Sequence, residues 1–364
     1  MKVCVIGTRG FPCIEGGVEK HCEFLYSSIA TDMEIIVLRR KPYVTKNLTC
    51  QNISFVDLPS TKIKGLEAVL HSFLAALKTI VIHPDVAHFH NIGPGLFIPL
   101  VKMAGIPVVL TYHSPNYEHK KWGLFARLLL RLGESVALKF ADRVIFVNKF
   151  QMEKYPTAIQ EKSKYIPNGI IPMKISNRKD YLEQIGVEPN KYVLSVGRIT
   201  QEKGFHTLIK AFKMRDMSGY KLVIAGGVEF EHNYMAQLNK LSENAAVVFT
   251  GFVQGEALAQ LYSNAALYVL ASEHEGFPLV LLEAMASKRN VLVSDIPATH
   301  LVKLKEEDYF PVGEEKILSQ KIAEKLEKVE NREYDLTGYN WDSIAEQTAA
   351  VLKRAAKVED GIEI

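Results

Sequence analysis

The sequence predicts an α/β protein made of two doubly wound parallel-sheet domains, and three observations carry that expectation. Short apolar runs alternate with longer segments of helical apolar spacing, the pattern of a parallel sheet covered on both faces. The alternation occurs twice, with the second series beginning after Pro167-Asn168-Gly169. The length, 364 residues, suits two domains of roughly 100–200 residues each.

In the first series Lys2–Gly7 is an apolar run closed by glycine, and Val18–Ala30 has helical spacing. Strand-like runs follow at Glu34–Leu38 and Ile53–Val56, then a long helical segment at Lys64–Val81. Val86–His90, Val108–His113 and Val144–Asn148 complete the first sheet. The second series predicts strands at Tyr192–Val196, Lys221–Ala225, Val247–Thr250, Leu267–Leu270 and Val291–Ser294. Helices fall between them, His206–Lys213 and Leu279–Ala286 among them, and a last helix, Trp341–Ala356, lies beyond the sheet. The boundary belongs in the polar stretch 170–190. It gives a first domain over 1–172, completed by helix 341–356, and a second over 173–340.

Composition narrows the function classes. Hydrophobic residues at 48% and charged residues at 23% supply two ordinary globular cores and leave no long disordered tract. The opening run Val3–Ile6 is too short for a signal peptide, and no stretch of 18 apolar residues could span a membrane, so a cytoplasmic protein is expected. Cys4, Cys13, Cys22 and Cys50 form no C-x-x-C pair and read as free, buried thiols. Charge is divided unequally: residues 1–172 hold 21 Lys and Arg against 13 Asp and Glu (+8), and residues 173–364 hold 23 against 28 (−5). The first half should therefore face something anionic. No nucleic-acid module is recognisable, which leaves a phosphate-bearing acceptor or an anionic membrane surface.

Chemistry-bearing residues fall where strands end, the places at which doubly wound sheets bind ligands. Gly16-Gly17 precedes a helix and lets backbone amides approach an anion, although the spacing is not that of the dinucleotide fingerprint. Gly197-Arg198 and Lys203-Gly204 follow the strand Tyr192–Val196. Two cations there can neutralise a diphosphate in place of a metal, Arg as a fork and Lys as a point charge. The segment Glu275-Gly276-Phe277-Pro278-Leu279-Val280-Leu281-Leu282-Glu283 opens a helix, with Pro278 expected in its first turn. Eight steps of roughly 100° would not bring two helical carboxylates onto one face, so Glu275 should lie in the loop and Glu283 in the helix. Carboxylates suit sugars because each accepts two hydroxyl hydrogen bonds. His113 closes the strand Val108–Thr111, whereas His88 and His90 alternate along a strand and carry no catalytic expectation.

A glutamate, seven residues and a second glutamate, with Gly-Phe-Pro inside, resembles the signature of the family 4 glycosyltransferases. Gly16-Gly17, Tyr165-Ile166-Pro167-Asn168-Gly169, Gly197-Arg198 and Lys203-Gly204 are similar to that family's pattern and occur in its order. The resemblance covers nearly the whole chain. It implies the GT-B fold, two Rossmann-like domains facing a central cleft, with retention at the anomeric carbon and no metal or cofactor. It implies that Arg198 and Lys203 grip the donor diphosphate, with Gly197, Gly276, Phe277, Pro278 and Leu279 around the donor. Glu275 and His113 would contact the sugar, Glu283 the ribose, and Gly16 and Gly17 would lie near the phosphates. The chain departs from the pattern at Ala298-Thr299-His300, where relatives often carry an acidic residue. No D-x-D motif occurs.

The expected activity is transfer of a sugar from a nucleotide sugar, UDP-linked first and GDP-linked next, to a saccharide acceptor in cell-surface polysaccharide assembly. The basic segment His119–Arg131, with Lys120, Lys121, Arg127, Arg131, Trp122 and several leucines, predicts a helix resting on the inner membrane face and a lipid-diphosphate-linked acceptor. Inward packing of Leu128–Leu130 is the structural alternative. A nucleotide-sugar epimerase of the same architecture, a transferase with a soluble acceptor, and a non-catalytic sugar-binding module are the competing functions. An NAD-dependent oxidoreductase is disfavoured, since Arg39-Arg40-Lys41 stands where an acidic ribose ligand would be.

Overall fold

Parallel strands buried on both faces read as continuous apolar runs, and those runs form two separate sheets here. The computed structural model describes residues 1–12, 14, 16–44, 51–61, 63, 66–115, 117, 123–170, 175–217, 219–228 and 232–357. The chain forms two compact units: Met1–Gly169 joined by the chain from Tyr339 onward, and Ile170–Gly338.

The first unit holds strands β1 (Lys2–Ile6), β2 (Glu34–Arg40), β3 (Ile53–Leu58), β4 (Val86–His90), β5 (Val108–Tyr112), β6 (Arg143–Phe146) and β7 (Ser163–Tyr165). They are all parallel, in the order β3-β2-β1-β4-β5-β6-β7. Its helices are α1 (Gly17–Ile29), α2 (Leu66–Ile82), α3 (Ile98–Met103), α4 (Leu124–Phe140), α5 (Lys149–Met152) and α6 (Thr157–Gln160). The second unit contributes α7 (Asp180–Gln184), β8 (Tyr192–Val196), α8 (Phe205–Lys213), β9 (Lys221–Ala225), α9 (His232–Leu241), β10 (Val247–Gly251) and α10 (Gly255–Ser263). It continues with β11 (Leu267–Leu270), α11 (Leu279–Ala286), β12 (Val291–Ser294), β13 (Tyr309–Phe310) and α12 (Glu315–Glu327), and α13 (Trp341–Ala355) returns to the first unit. The second sheet is parallel too, in the order β10-β9-β8-β11-β12-β13.

Each sheet reverses its strand order once, between β1 and β4 in the first and between β8 and β11 in the second. Both are therefore Rossmann-like α/β units. The two-residue period of a strand divides the first unit's core. Val3 and Val5 of β1 join Leu25 and Tyr26 of α1 and Ile344, Val351 and Leu352 of α13 on one face. Cys4 and Ile6 join Ala75 and Ala76 of α2, Val101 of α3 and Ala137 of α4 on the other. In the second unit Val193, Ile224 and Val269 pack against Leu208 of α8 and Leu318 and Ile322 of α12. Trp341 opens α13 and stacks on Phe24 of α1 with ring centroids 5.7 Å apart. A Cβ on Gly169 would lie 2.5 Å from that indole, so this close approach admits only glycine.

Several boundaries differ from the sequence expectation. Helix α4 runs to Phe140, well beyond the basic segment that predicted it. Strand β5 stops at Tyr112, leaving His113 as the first residue past the sheet edge. Lys64, expected to start α2, lies outside the described residues, as do Cys13 and Cys50. Cys4 and Cys22 are buried free thiols, and burial pushes Cys4 up to about 11. No described helix is long and apolar enough to cross a membrane.

Candidate active site

In the second unit the site grows from the two strands that flank the order reversal. Gly197 donates its amide to Ala225 O at 2.9 Å and extends the sheet by one residue, so Arg198 is the first side chain past the edge. The short turn Gln201–Lys203 then ends at Gly204, whose φ of +64° and a would-be Cβ 2.0 Å from Ala271 O both require glycine. That approach draws the loops after β8 and β11 together, and Glu273 N donates to Glu202 O at 2.8 Å across them. The consequence is an ion pair: Lys203 Nζ lies 2.5 Å from Glu275 Oε1, which also accepts from Ser272 Oγ at 2.7 Å. A lysine and a glutamate separated by 71 intervening positions thus share one half-buried spot.

Glu275 sits in the loop and Glu283 within α11, as the turn geometry of the nine-residue motif requires. Pro278 is the N-cap rather than a first-turn residue, since its ψ of 85° is not helical. Its carbonyl accepts from Leu281 N at 3.0 Å. No side chain caps this end of α11, so its positive pole is open to a ligand. Glu283 is buried and accepts a 2.8 Å hydrogen bond from Tyr262 of α10, a phenol that burial holds protonated. Beyond the site, His300 pairs with Asp295 at 2.6 Å in the segment that departs from the family pattern.

In the first unit the matching position holds imidazoles. His113 Nε2 lies 3.0 Å from His90 Nδ1, and His90 Nε2 lies 2.7 Å from the Tyr26 hydroxyl. Tyr26 also contacts His88 Nδ1 at 2.7 Å, and His88 Nε2 meets Thr111 Oγ1 at 2.7 Å. His21 of α1 stands edge-on to His113 with ring centroids 4.9 Å apart. All four histidines are buried, and burial is the main reason their pKa values fall. His21 drops to about 4 and His88 to about 3, and His90 and His113 lie well below the usual imidazole value. The cluster is neutral at pH 7. Sequence reasoning found His113 but missed His21, His88 and His90. The available signal was a His-x-His pair on one face of β4, whose neighbour β5 leads into His113.

His21, His90 and His113 each offer a ring nitrogen within 4.8 Å of the others, and neutral imidazoles are zinc-type ligands. Two of those nitrogens are already engaged with each other in the 3.0 Å contact. The glycine pair at α1 is equally specific. Gly16 has φ +146°, and a Cβ there would lie 2.0 Å from Glu19 Oε2. Glu19 also accepts Arg9 N at 3.0 Å. The start of α1 thus carries its own carboxylate, which opposes a phosphate and welcomes hydroxyls.

The model described as Glycosyltransferase Family 4 matches residues 16–173, and that described as Glycosyl transferases group 1 matches residues 177–354. The chain belongs to glycosyltransferase family 4. An uncharacterized glycosyltransferase of Methanocaldococcus jannaschii is 28% identical over 98% of this chain and 99% of its own length. The O-antigen chain mannosyltransferase of Salmonella typhimurium is 26% identical over 70% of this chain and 69% of its own. Among solved structures, Anabaena HepE in complex with UDP and glucose superposes with a TM-score of 0.71 at 20% identity, covering 98% of each chain. The residues brought together in this family 4 chain are Lys203, Ser272 and Glu275 in one unit and His21, His90 and His113 in the other.

Proposed function

We propose that this glycosyltransferase moves a sugar from a UDP-sugar to a saccharide carried on a lipid diphosphate, with retention and without a metal. The observation that carries the reading is the Lys203–Glu275 pair that joins the loops after β8 and β11, the first of which also carries Arg198 and the second of which leads into α11. Arg198, Lys203 and the helix end supply positive charge for a diphosphate, and Glu275 and Glu283 supply acceptors for sugar and ribose hydroxyls. The UDP-bound neighbour and the O-antigen relative support the choices of donor and of polysaccharide product.

In the reaction the anomeric carbon loses its bond to the diphosphate oxygen and gains one to the acceptor oxygen on the same face. The acceptor's hydroxyl proton leaves on the departing diphosphate. Arg198 and Lys203 stabilise the charge that develops there, a contribution of about 2.7–4 kcal/mol for each such contact. Glu275 orients the sugar through the oxygen it does not share with Lys203, and His113 offers a hydrogen bond to a sugar hydroxyl. Gly16 and Gly17, with Glu19 beneath them, favour a hydroxyl-bearing group.

Helix α4 supports a membrane-borne acceptor. Leu124, Leu128 and Leu132, one turn apart, are 86%, 68% and 51% exposed, so of the segment Leu128–Leu130 the inward alternative fails for Leu128 and holds for Leu130, which packs against the core. Arg131 is exposed beside them; Arg127 is only half-exposed, and His119, Lys120, Lys121 and Trp122 lie outside the described residues. Helix α3 packs against both α4 and α2, and α2 exposes Leu66, Phe73, Leu77 and Val81. An apolar face with cations at its edge suits the interface of an anionic leaflet.

A donor screen with purified protein tests the chemistry: nucleotide release should require both a UDP-sugar and a lipid-linked saccharide. Donor conversion without any acceptor would mark an epimerase instead. Sedimentation with anionic liposomes should fall with salt and with Leu124→Ser/Leu128→Ser. If the protein ignores such liposomes at low salt, the acceptor is soluble.

A further inference from the structure

The hydrogen bonds of the first unit's buried imidazoles form one unbranched chain: Thr111 Oγ1, His88, the Tyr26 hydroxyl, His90 and His113, in contacts of 2.7, 2.7, 2.7 and 3.0 Å. Each link needs one hydrogen and one lone pair. Both ring nitrogens of His88 and of His90 are taken up in these contacts, and in the neutral forms each ring carries a single N–H and Tyr26 a single O–H. Such a chain has two self-consistent directions.

In one direction Tyr26 donates to His88 Nδ1, His88 donates from Nε2 to Thr111, His90 donates from Nε2 to Tyr26, and His113 donates from Nε2 to His90. The Thr111 hydroxyl then has its hydrogen pointing at nothing, because its sole hydrogen-bond partner among the described residues is His88 Nε2. In the other direction Thr111 donates to His88 Nε2, His88 Nδ1–H to Tyr26, Tyr26 to His90 Nε2, and His90 Nδ1–H to His113 Nε2. The one hydrogen left over is then His113 Nδ1–H, which is not among the fully buried unpartnered atoms, whereas the Thr111 hydroxyl belongs to a residue only 1% exposed. Buried donors are rarely left without an acceptor, so the second direction is the stable one.

We infer that Thr111, His88, Tyr26 and His90 act as positioning residues that hold His113 in its Nδ1–H form, so that it meets its ligand as a hydrogen-bond donor and not as a base. Its Nε2 lone pair is taken by His90, and its Nδ1 carries the proton. Nδ1 has no partner among the described residues and is not among the fully buried unpartnered atoms, so it is the nitrogen left for a ligand. The inference rests on the proposed transfer reaction, and it deepens that reading. It assigns a sugar or acceptor oxygen as the atom His113 contacts and removes His113 as the group that takes the acceptor's proton.

The test is long-range proton–nitrogen NMR on protein labelled with nitrogen-15 histidine, at pH 7 without substrate. Signals are assigned by the one lost in His90→Gln and the one lost in His113→Asn. His88, His90 and His113 should each show a protonated Nδ1 and a bare Nε2. A protonated Nε2 at His113, a doubly protonated ring, or loss of these signals to a bound zinc ion overturns the inference. That measurement involves no turnover, so it can fail while transfer persists, or succeed in a protein that transfers nothing. A kinetic arm uses a pair of similar shape: His90→Asn can still donate to His113 Nε2 from near the place of Nδ1, whereas His90→Leu has no donor. Asn should keep a kcat at least about tenfold above Leu, the scale of losing one aimed donor, with similar KM for the donor sugar. Equal kcat values in the two variants, both folded by near-ultraviolet dichroism, would overturn it.

Discussion

The two units share a topology and differ in how they arm it. Past the strand ends of the second unit stand basic and acidic side chains: Arg198, the Lys203–Glu275 pair and the buried Glu283. Past those of the first stand neutral rings, His113 backed by His90, His88 and Tyr26. Burial explains the contrast. Imidazoles packed under α1 shed their charge because burial disfavours it, whereas Lys203 and Glu275 face one another as an ion pair within reach of solvent. In the proposed reaction electrostatic work falls to one unit and directional hydrogen bonding to the other.

The sharpest way to break that contrast is to discharge the second unit. Lys203→Ala and Arg198→Ala should each lower kcat by about 10²–10³, measured as nucleotide release, with a smaller change in donor KM. A KM effect alone would place these cations in binding instead. A weaker effect is expected at Glu283, whose contact with ribose would be alike in ground and transition states. Glu283→Gln should raise donor KM roughly tenfold and leave kcat nearly intact, because a hydrogen bond to a charged group contributes about 1.5–3 kcal/mol. Lost turnover with unchanged nucleotide affinity would contradict that role.

The smallest effect separates the units by stability. The first unit's histidines have folded pKa values below their unfolded ones, His21 about 4 and His88 about 3 against 6.5. Their stabilising contribution is complete above pH 6.5. It is lost as pH falls toward those folded values, because only the unfolded chain takes up the protons. His21 alone accounts for at most about 3 kcal/mol. Calorimetry from pH 7 to pH 5 should lower the first unit's transition more than the second's, whose histidines all reach solvent. Equal shifts would mean the cluster is not neutral.

The sequence made both sheets legible because parallel strands buried on two faces are apolar without interruption, as Val3–Ile6 of β1 and the whole of β11 are. It did not show β7, Ser-Lys-Tyr, or the two-residue β13, which owe their strand form to pairing with β6 and β12. At the site, Arg198, Lys203, Glu275 and Glu283 were legible from their places at strand and helix ends. The Lys203–Glu275 contact was not, since it depends on Gly204 closing against Ala271. His88 and His90 were set aside as alternating strand residues. Only the register of β4 on β5 and the reach of Tyr26 join them to His113.

The central claim is that side chains of the second unit, and not a metal, carry the charge of the departing diphosphate. Nucleotide release from a UDP-sugar in excess EDTA, compared with the untreated protein and with Lys203→Ala, tests it most directly. The wild type should turn over at its full rate in EDTA, and the Lys203→Ala loss should be the same with chelator as without. Inactivation by EDTA with recovery on adding magnesium, manganese or zinc would contradict it, and would turn attention to His21, His90 and His113 as the ligands.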